Sequence, residues 1–180
     1  GEFAEARQEM LDCQREAAEF DPHHYETASF YFQYCVICFG CADFSTALDY
    51  LNAWLNQPRS VDREDLQSLA RMISLILHFE LGNSVLLESL LRSATRFMQK
   101  KNRLFELARR FIHFMADLMR AANRQEQQPV FQKMKAELPQ LPGAKSLLQT
   151  FDLDAWLESK IGHRSFAAVV RGKRAGELPA

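Results

Sequence analysis

Little in this 180-residue chain points to turnover chemistry. It has seven glycines and six prolines. The glycines fall mostly in turns or near the end, which leaves no room for a Gly-rich loop that cradles phosphates. There is no G-x-S-x-G elbow and no H-E-x-x-H zinc pair. No apolar run approaches the roughly 18–20 uncharged residues that a membrane helix needs, so no membrane partner is expected. No secretory signal pattern is present, and the opening Gly-Glu-Phe in place of Met suggests a piece of a longer protein. The four cysteines, three of them in one apolar stretch, do not form a disulfide framework, so a reducing cytoplasm is the expected compartment.

What is present belongs to a globular helical protein. Apolar residues make up 47% and charged residues 25% of the chain, enough for one well-buried domain or a short array of repeats. The net charge of −1 is spread unevenly. Residues 1–65 carry 4 basic and 13 acidic side chains, net −9, and residues 66–135 carry 12 and 5, net +7. Such asymmetry steers oppositely charged partners.

The stretch Asp65–Met98 reads as two apolar helices joined at Gly82-Asn83. Gln67, Arg71, Ser74 and His78 recur at helical spacing as one polar strip on an otherwise apolar helix, which therefore needs neighbours on most sides. His78 on that strip is expected to be solvated. The second helix puts Leu87, Leu90, Leu91 and Ala94 on one face and Glu88, Arg92, Arg96 and Lys100 on the other. Around this hairpin the spacing predicts helices over Phe3–Phe20, His24–Phe39, Phe44–Asn56 and Arg103–Ala122, with Asp43 as an N-cap and Ser60 or Asp62 capping the central hairpin. Asn123–Gln128 reads as a polar link, with Pro129 in the first turn of a helix that ends at Leu138. Short helices over 143–150 and 152–161 and a segment 164–171 follow. Residues 172–180 are expected to be a loose tail.

The turns recur. Ala42-Asp43, Gly82-Asn83, Ala122-Asn123 and Gly162-His163 lie forty residues apart, and Leu51, Leu91 and Phe131 follow the same step. Two helices per repeat at a fixed period is the pattern of an α-solenoid. The unit Tyr31…Cys35…Ala42-Asp43-Phe44-x-x-Ala47-x-x-x-Leu51 resembles the tetratricopeptide (TPR) motif. The central hairpin keeps Gly82-Asn83, Leu91 and Ala94 but has Leu75 and Leu87 where the motif has small residues. The period also exceeds the family's roughly thirty-four. The helix Trp156–Ile161 is similar to one that ends bacterial TPR-like proteins. The resemblance implies an all-α superhelix of hairpin repeats: a truncated upstream repeat over 1–20, hairpins over 21–138, and capping helices over 139–171 that bury Trp156. It implies a binding role and carries no activity.

Three groups of residues are candidates for a site. Cys35-Val-Ile-Cys38-Phe-Gly-Cys41 has part of an iron–sulfur spacing, with Cys13 as a fourth ligand. Its helical, apolar surroundings fit buried thiols better, and no cofactor or metal is expected. His23, His24, His78 and His113 lack ligand spacing, and His113 reads as a core or boundary residue. The second group is an apolar wall, Phe32, Val36, Phe39, Leu69, Met72 and Ile76, placed where TPR arrays line their concave groove. Either another part of the chain covers it or it docks a partner helix. The third is a cationic run, Arg92, Arg96, Lys100, Lys101 and Arg103, suited to an acidic peptide or to nucleic acid. A pI near 6.6 and the absence of interleaved aromatics favour protein. The expected function is thus a non-catalytic protein-binding scaffold, with a nucleic-acid-binding repeat as the alternative.

Overall fold

Apolar side chains at helical spacing do form helices here. The computed structural model describes residues 1–20, 28–56, 64–99, 105–142, 144 and 150–176. Every regular element among them is helical: α1 Phe3–Phe20, α2 Ala28–Gly40, α3 Phe44–Asn56, α4 Glu64–Glu80, α5 Ser84–Gln99, α6 Phe105–Arg120, α7 Arg124–Glu137, α8 Leu153–Ile161 and α9 Phe166–Arg174, with a 3-10 turn at Leu138–Gln140. None is long and apolar enough to cross a membrane. The expected caps at Ser60 or Asp62 and most of the expected helix 143–150 lie outside the described residues.

The chain divides into two compact units, Gly1–Asp62 with Ser165–Ala180, and Arg63–Arg164. In the first, α2 packs against both α1 and α3. Its sequence ASFYFQYCVICFG is apolar nearly all round, and Phe32, Tyr34, Cys35, Cys38 and Phe39 are buried. The helix α9 belongs to this unit through Phe166, whose ring lies 5.7 Å from Phe3 and 5.1 Å from Phe39. It runs on to Arg174 with Gly172 buried, so the start of the expected loose tail, residues 172–174, is corrected to helix, with Val169, Val170 and Gly172 as its inner face. Residues 177–180 of that tail lie outside the described residues.

In the second unit α4 packs on α5 and α6, α5 on α6, α6 on α7, and α7 on α8. The amphipathic α6 shows why. Leu107, Phe111, Phe114, Met115 and Leu118 are buried while Glu106, Arg109, His113 and Arg120 face solvent. His113 is therefore exposed, and the expectation of a core or boundary residue is corrected. The unit's largest buried side chain is Trp156, 1% exposed and set edge-on to Phe79, Phe114 and Phe131.

Two turns share one hydrogen-bonding scheme. After α2, Ala42 N–H donates to Phe39 and Asp43 N–H to Cys38; after α4, Gly82 N–H donates to Phe79 and Asn83 N–H to His78. This is the bonding of a Schellman cap. Ala42 and Gly82 accordingly sit in the left-handed region at φ 59° and 71°. The next turn is built differently. Asn123 accepts from Glu126 N–H at 3.0 Å while the Glu126 carboxylate takes Ala122 N–H at 2.9 Å, a variant of the capping box in which the carboxylate takes the N–H just before the cap. That box starts α7 at Arg124, so the expected link Asn123–Gln128 is helical and Pro129 sits inside the helix rather than in its first turn. Pro129 and Gln125 are both exposed, so the carbonyl left without a helical donor faces water.

Candidate partner-binding surface

The apolar wall that the sequence offered as a dock is core. Leu69, Met72 and Ile76 are at most 2% exposed, on a helix packed against α5 and α6. Phe32 meets Trp54 edge-on at 5.7 Å, and Phe39 meets Phe44 and Phe166. Val36 is half-buried. Side chains already in van der Waals contact with their own fold present no surface to a partner, so Phe32, Phe39, Leu69, Met72 and Ile76 are corrected from dock to packing.

The cationic run is reduced to two described residues. Arg92 and Arg96 are exposed on the outer face of α5, as expected; Lys100, Lys101 and Arg103 lie outside the described residues. Arg92 is engaged by Glu88 one turn back at 2.6 Å, and Arg96 Nε donates to the Arg92 carbonyl at 3.4 Å. Both side chains of the Arg92–Glu88 pair are more than 60% exposed, where such pairs stabilise a helix by only a few tenths of a kcal/mol.

The cysteines are thiols of a packed helix. Cys35 and Cys38 have no exposed surface, and burial pushes them up to about 12 and about 11. Cys41 donates to the Phe3 carbonyl. Among the described residues no group of three His, Cys, Asp or Glu side chains is placed to hold a metal ion. The ring of His78, expected to be solvated, is 7% exposed with its Nδ1 3.3 Å from the Asn83 amide nitrogen. That expectation is corrected: Gln67, Arg71 and Ser74 on the same strip are only partly buried, and the strip closes over at its His78 end.

What the fold leaves open lies at the α4–α5 end of the 63–164 unit. Leu81, Val85 and Leu86 are 37%, 87% and 48% exposed, clustered around the Gly82 turn. Scattered apolar surface residues are ordinary, whereas three at one hairpin tip are a cluster. Val85 and Leu86 border a shallow depression with Gly82, Asn83, Ser84 and Ser89.

At the same end of α4 a polar cleft of about 420 Å³ opens. Phe79 and Phe131 line it beside Glu80, with Arg124, Gln127 and Gln128 from the start of α7 and Ser159, Lys160, His163 and Arg164 from the end of α8. Glu80, its side chain 8% exposed, takes the Lys160 ammonium at 2.5 Å and the Trp156 indole N–H at 2.6 Å. Arg164 pairs with Glu158 at 2.8 Å. Gln128 Nε2 donates to the Lys160 carbonyl at 3.2 Å and lies 3.4 Å from His163 Nε2. Sequence reasoning missed this group because its members come from three segments and each reads alone as a solvated helix end. The tip was more legible, since Leu81 and Val85-Leu86 flank a Gly-Asn turn where polar residues are the norm. The chain matches no protein-family model, no curated protein and no solved structure.

Proposed function

We propose that this chain is a non-catalytic interaction module, built on TPR-like helical hairpins, which holds an acidic, apolar-bearing segment of another protein at the α4–α5 end of its 63–164 unit. The observation that carries the reading is the clustering of Leu81, Val85 and Leu86 at one exposed turn in a protein that buries most of its large apolar side chains. Charge supports it as well. Residues 66–135 carry net +7, with Arg92 and Arg96 exposed on the same hairpin. An amphipathic partner would bury its apolar side on the tip and direct its carboxylates to these cations. The paired turns at Ala42 and Gly82 support the repeat reading, since one cap geometry recurs at the forty-residue step.

Selection from a displayed random-peptide library tests this. The wild-type chain is expected to enrich peptides that combine Asp or Glu with Leu, Ile or Phe. Val85→Glu/Leu86→Glu is expected to weaken them at least about tenfold, the effect of losing one well-buried apolar contact of ~1.5–3 kcal/mol. No enrichment, or enriched peptides indifferent to the double variant, would remove the reading. Tighter binding to a random single-stranded oligonucleotide, with steep salt dependence, would replace it with the nucleic-acid one.

A further inference from the structure

We infer that the polar cleft between the ends of α4, α7 and α8 is a pocket for a single carboxylate group, with Arg124 as the residue that binds it. In partner binding it would receive a carboxylate of the held segment, and to that extent it rests on the reading above; the chemistry of the pocket stands by itself.

Charge matching sets the ligand class. Three cations line the cleft, Arg124, Lys160 and Arg164, against one anion, Glu80. Lys160 is already neutralised by Glu80. Arg164 shares Glu158 with Lys135, which also pairs with Asp154, so that outer group of two cations and two anions is neutral as a whole. Arg124, exposed in the first turn of α7, has no hydrogen bond or ion pair among the described residues. The cleft thus offers one uncompensated positive charge, on a planar guanidinium whose paired N–H groups fit a carboxylate two-to-two. That matches a monoanion better than a phosphate dianion, which would need a second free cation. The volume of about 420 Å³ lies in the range of small ligand sites. It has an apolar side as well. The half-buried Phe79 ring, backed by the buried Phe131, suits the methylene stem of a glutamate or the side chain beside a C-terminal carboxylate.

The two sources of that carboxylate are separated by the probes: N-acetyl-glutamate α-amide carries it on the side chain, and N-acetyl-leucine at the chain end. Each is titrated into the full 15N-labelled chain at neutral pH and low salt, with N-acetyl-glutamine α-amide and inorganic phosphate as comparisons. The Arg124 Nε–H and the Trp156 indole N–H, which touches Glu80 at the cleft, report binding. The expected result is a saturable shift of both signals with at least one carboxylate probe and none with the neutral amide. Arg124→Gln is expected to lose at least tenfold in affinity, and Arg124→Lys to fall between. Because Arg124 is exposed, both variants should melt as the wild type does. Phosphate binding more tightly than either carboxylate would overturn the inference, as would equal binding by Arg124→Gln or the absence of saturable shifts. If the probes fail while displayed peptides still depend on Val85 and Leu86, the interaction reading stands and the pocket falls. If the probes bind but no peptide is enriched, the pocket stands and the interaction reading falls.

Discussion

Trp156 donates its indole N–H to Glu80 at 2.6 Å, joining positions 76 residues apart in the chain. The same carboxylate takes the Lys160 ammonium at 2.5 Å, so a nearly buried charge is both paired and hydrogen-bonded, the condition under which such a group is tolerated. The ring fills the space between α4, α6 and α7 through Phe79, Phe114 and Phe131. Trp156→Ala is expected to cost about 3–5 kcal/mol, as large-to-small core changes do. Trp156→Phe keeps most of the packing but strips Glu80 of a donor, at about 1–3 kcal/mol. Urea unfolding of the two variants checks the order. Equal losses would mean that the ring's packing adds nothing beyond the hydrogen bond, which both variants remove.

The two Schellman turns make predictions of opposite sign. Gly82 has φ 71° with open space around it, so Gly82→Ala adds only left-handed strain and should destabilise by about 1 kcal/mol. Ala42 already bears that strain at φ 59°. Ala42→Gly should therefore be neutral or stabilising, by up to about 1 kcal/mol once the extra freedom of the unfolded chain is counted. A loss of stability in Ala42→Gly would show that the turn is held by contacts of the Ala42 methyl instead.

Much of this was legible in the sequence. The bounds of α1 and α3, the Gly82-Asn83 hairpin and the burial of Trp156 all follow from apolar spacing and turn residues. The start of α7 is displaced from its expected place because Asn123–Gln128 reads as polar and Pro129 as a first-turn residue, whereas the Asn123 and Glu126 side-chain caps outweigh one missing backbone donor on a wet face. His78 was misread because a polar strip in a sequence does not reveal how many sides of its helix are packed. The placing of α9 with α1 and α2 rests on Phe166 meeting Phe3 and Phe39 and on Arg171 donating to the Gly1 carbonyl, and no periodicity announces a contact between chain ends. The cleft was invisible for a related reason: Glu80, Arg124 and Lys160 are neighbours only after folding.

Gly40 tests that closure. A Cβ there would lie 2.1–2.5 Å from three ring carbons of Phe3, so the ring rests directly on the glycine. Gly40→Ala is expected to destabilise the protein by about 1–3 kcal/mol through overpacking. The loss should shrink in a Phe3→Ala background, where the obstructing ring is gone. A double-mutant cycle by thermal or urea unfolding measures the coupling, and additive effects would contradict the contact.

His78 makes stability depend on pH. Burial lowers its pKa below the ordinary 6.5, and an amide N–H donated from Asn83 to Nδ1 requires an unprotonated nitrogen there. As pH falls, the unfolded chain takes up the proton first. The contribution is therefore complete above about pH 6.5, and it declines from there down to the lower folded-state value. The urea midpoint of the wild type should drop between pH 7.5 and 5 by more than that of His78→Gln. Parallel pH profiles would show that the ring titrates freely.

The most direct test of the interaction reading is hydrogen–deuterium exchange on the intact chain with and without a library-selected acidic peptide. The account predicts slowed exchange around the hairpin tip, residues 81–92, and at the start of α7, residues 124–128, with both effects lost in Val85→Glu/Leu86→Glu. Protection confined to other segments, or protection at the tip that survives the double variant, would contradict it.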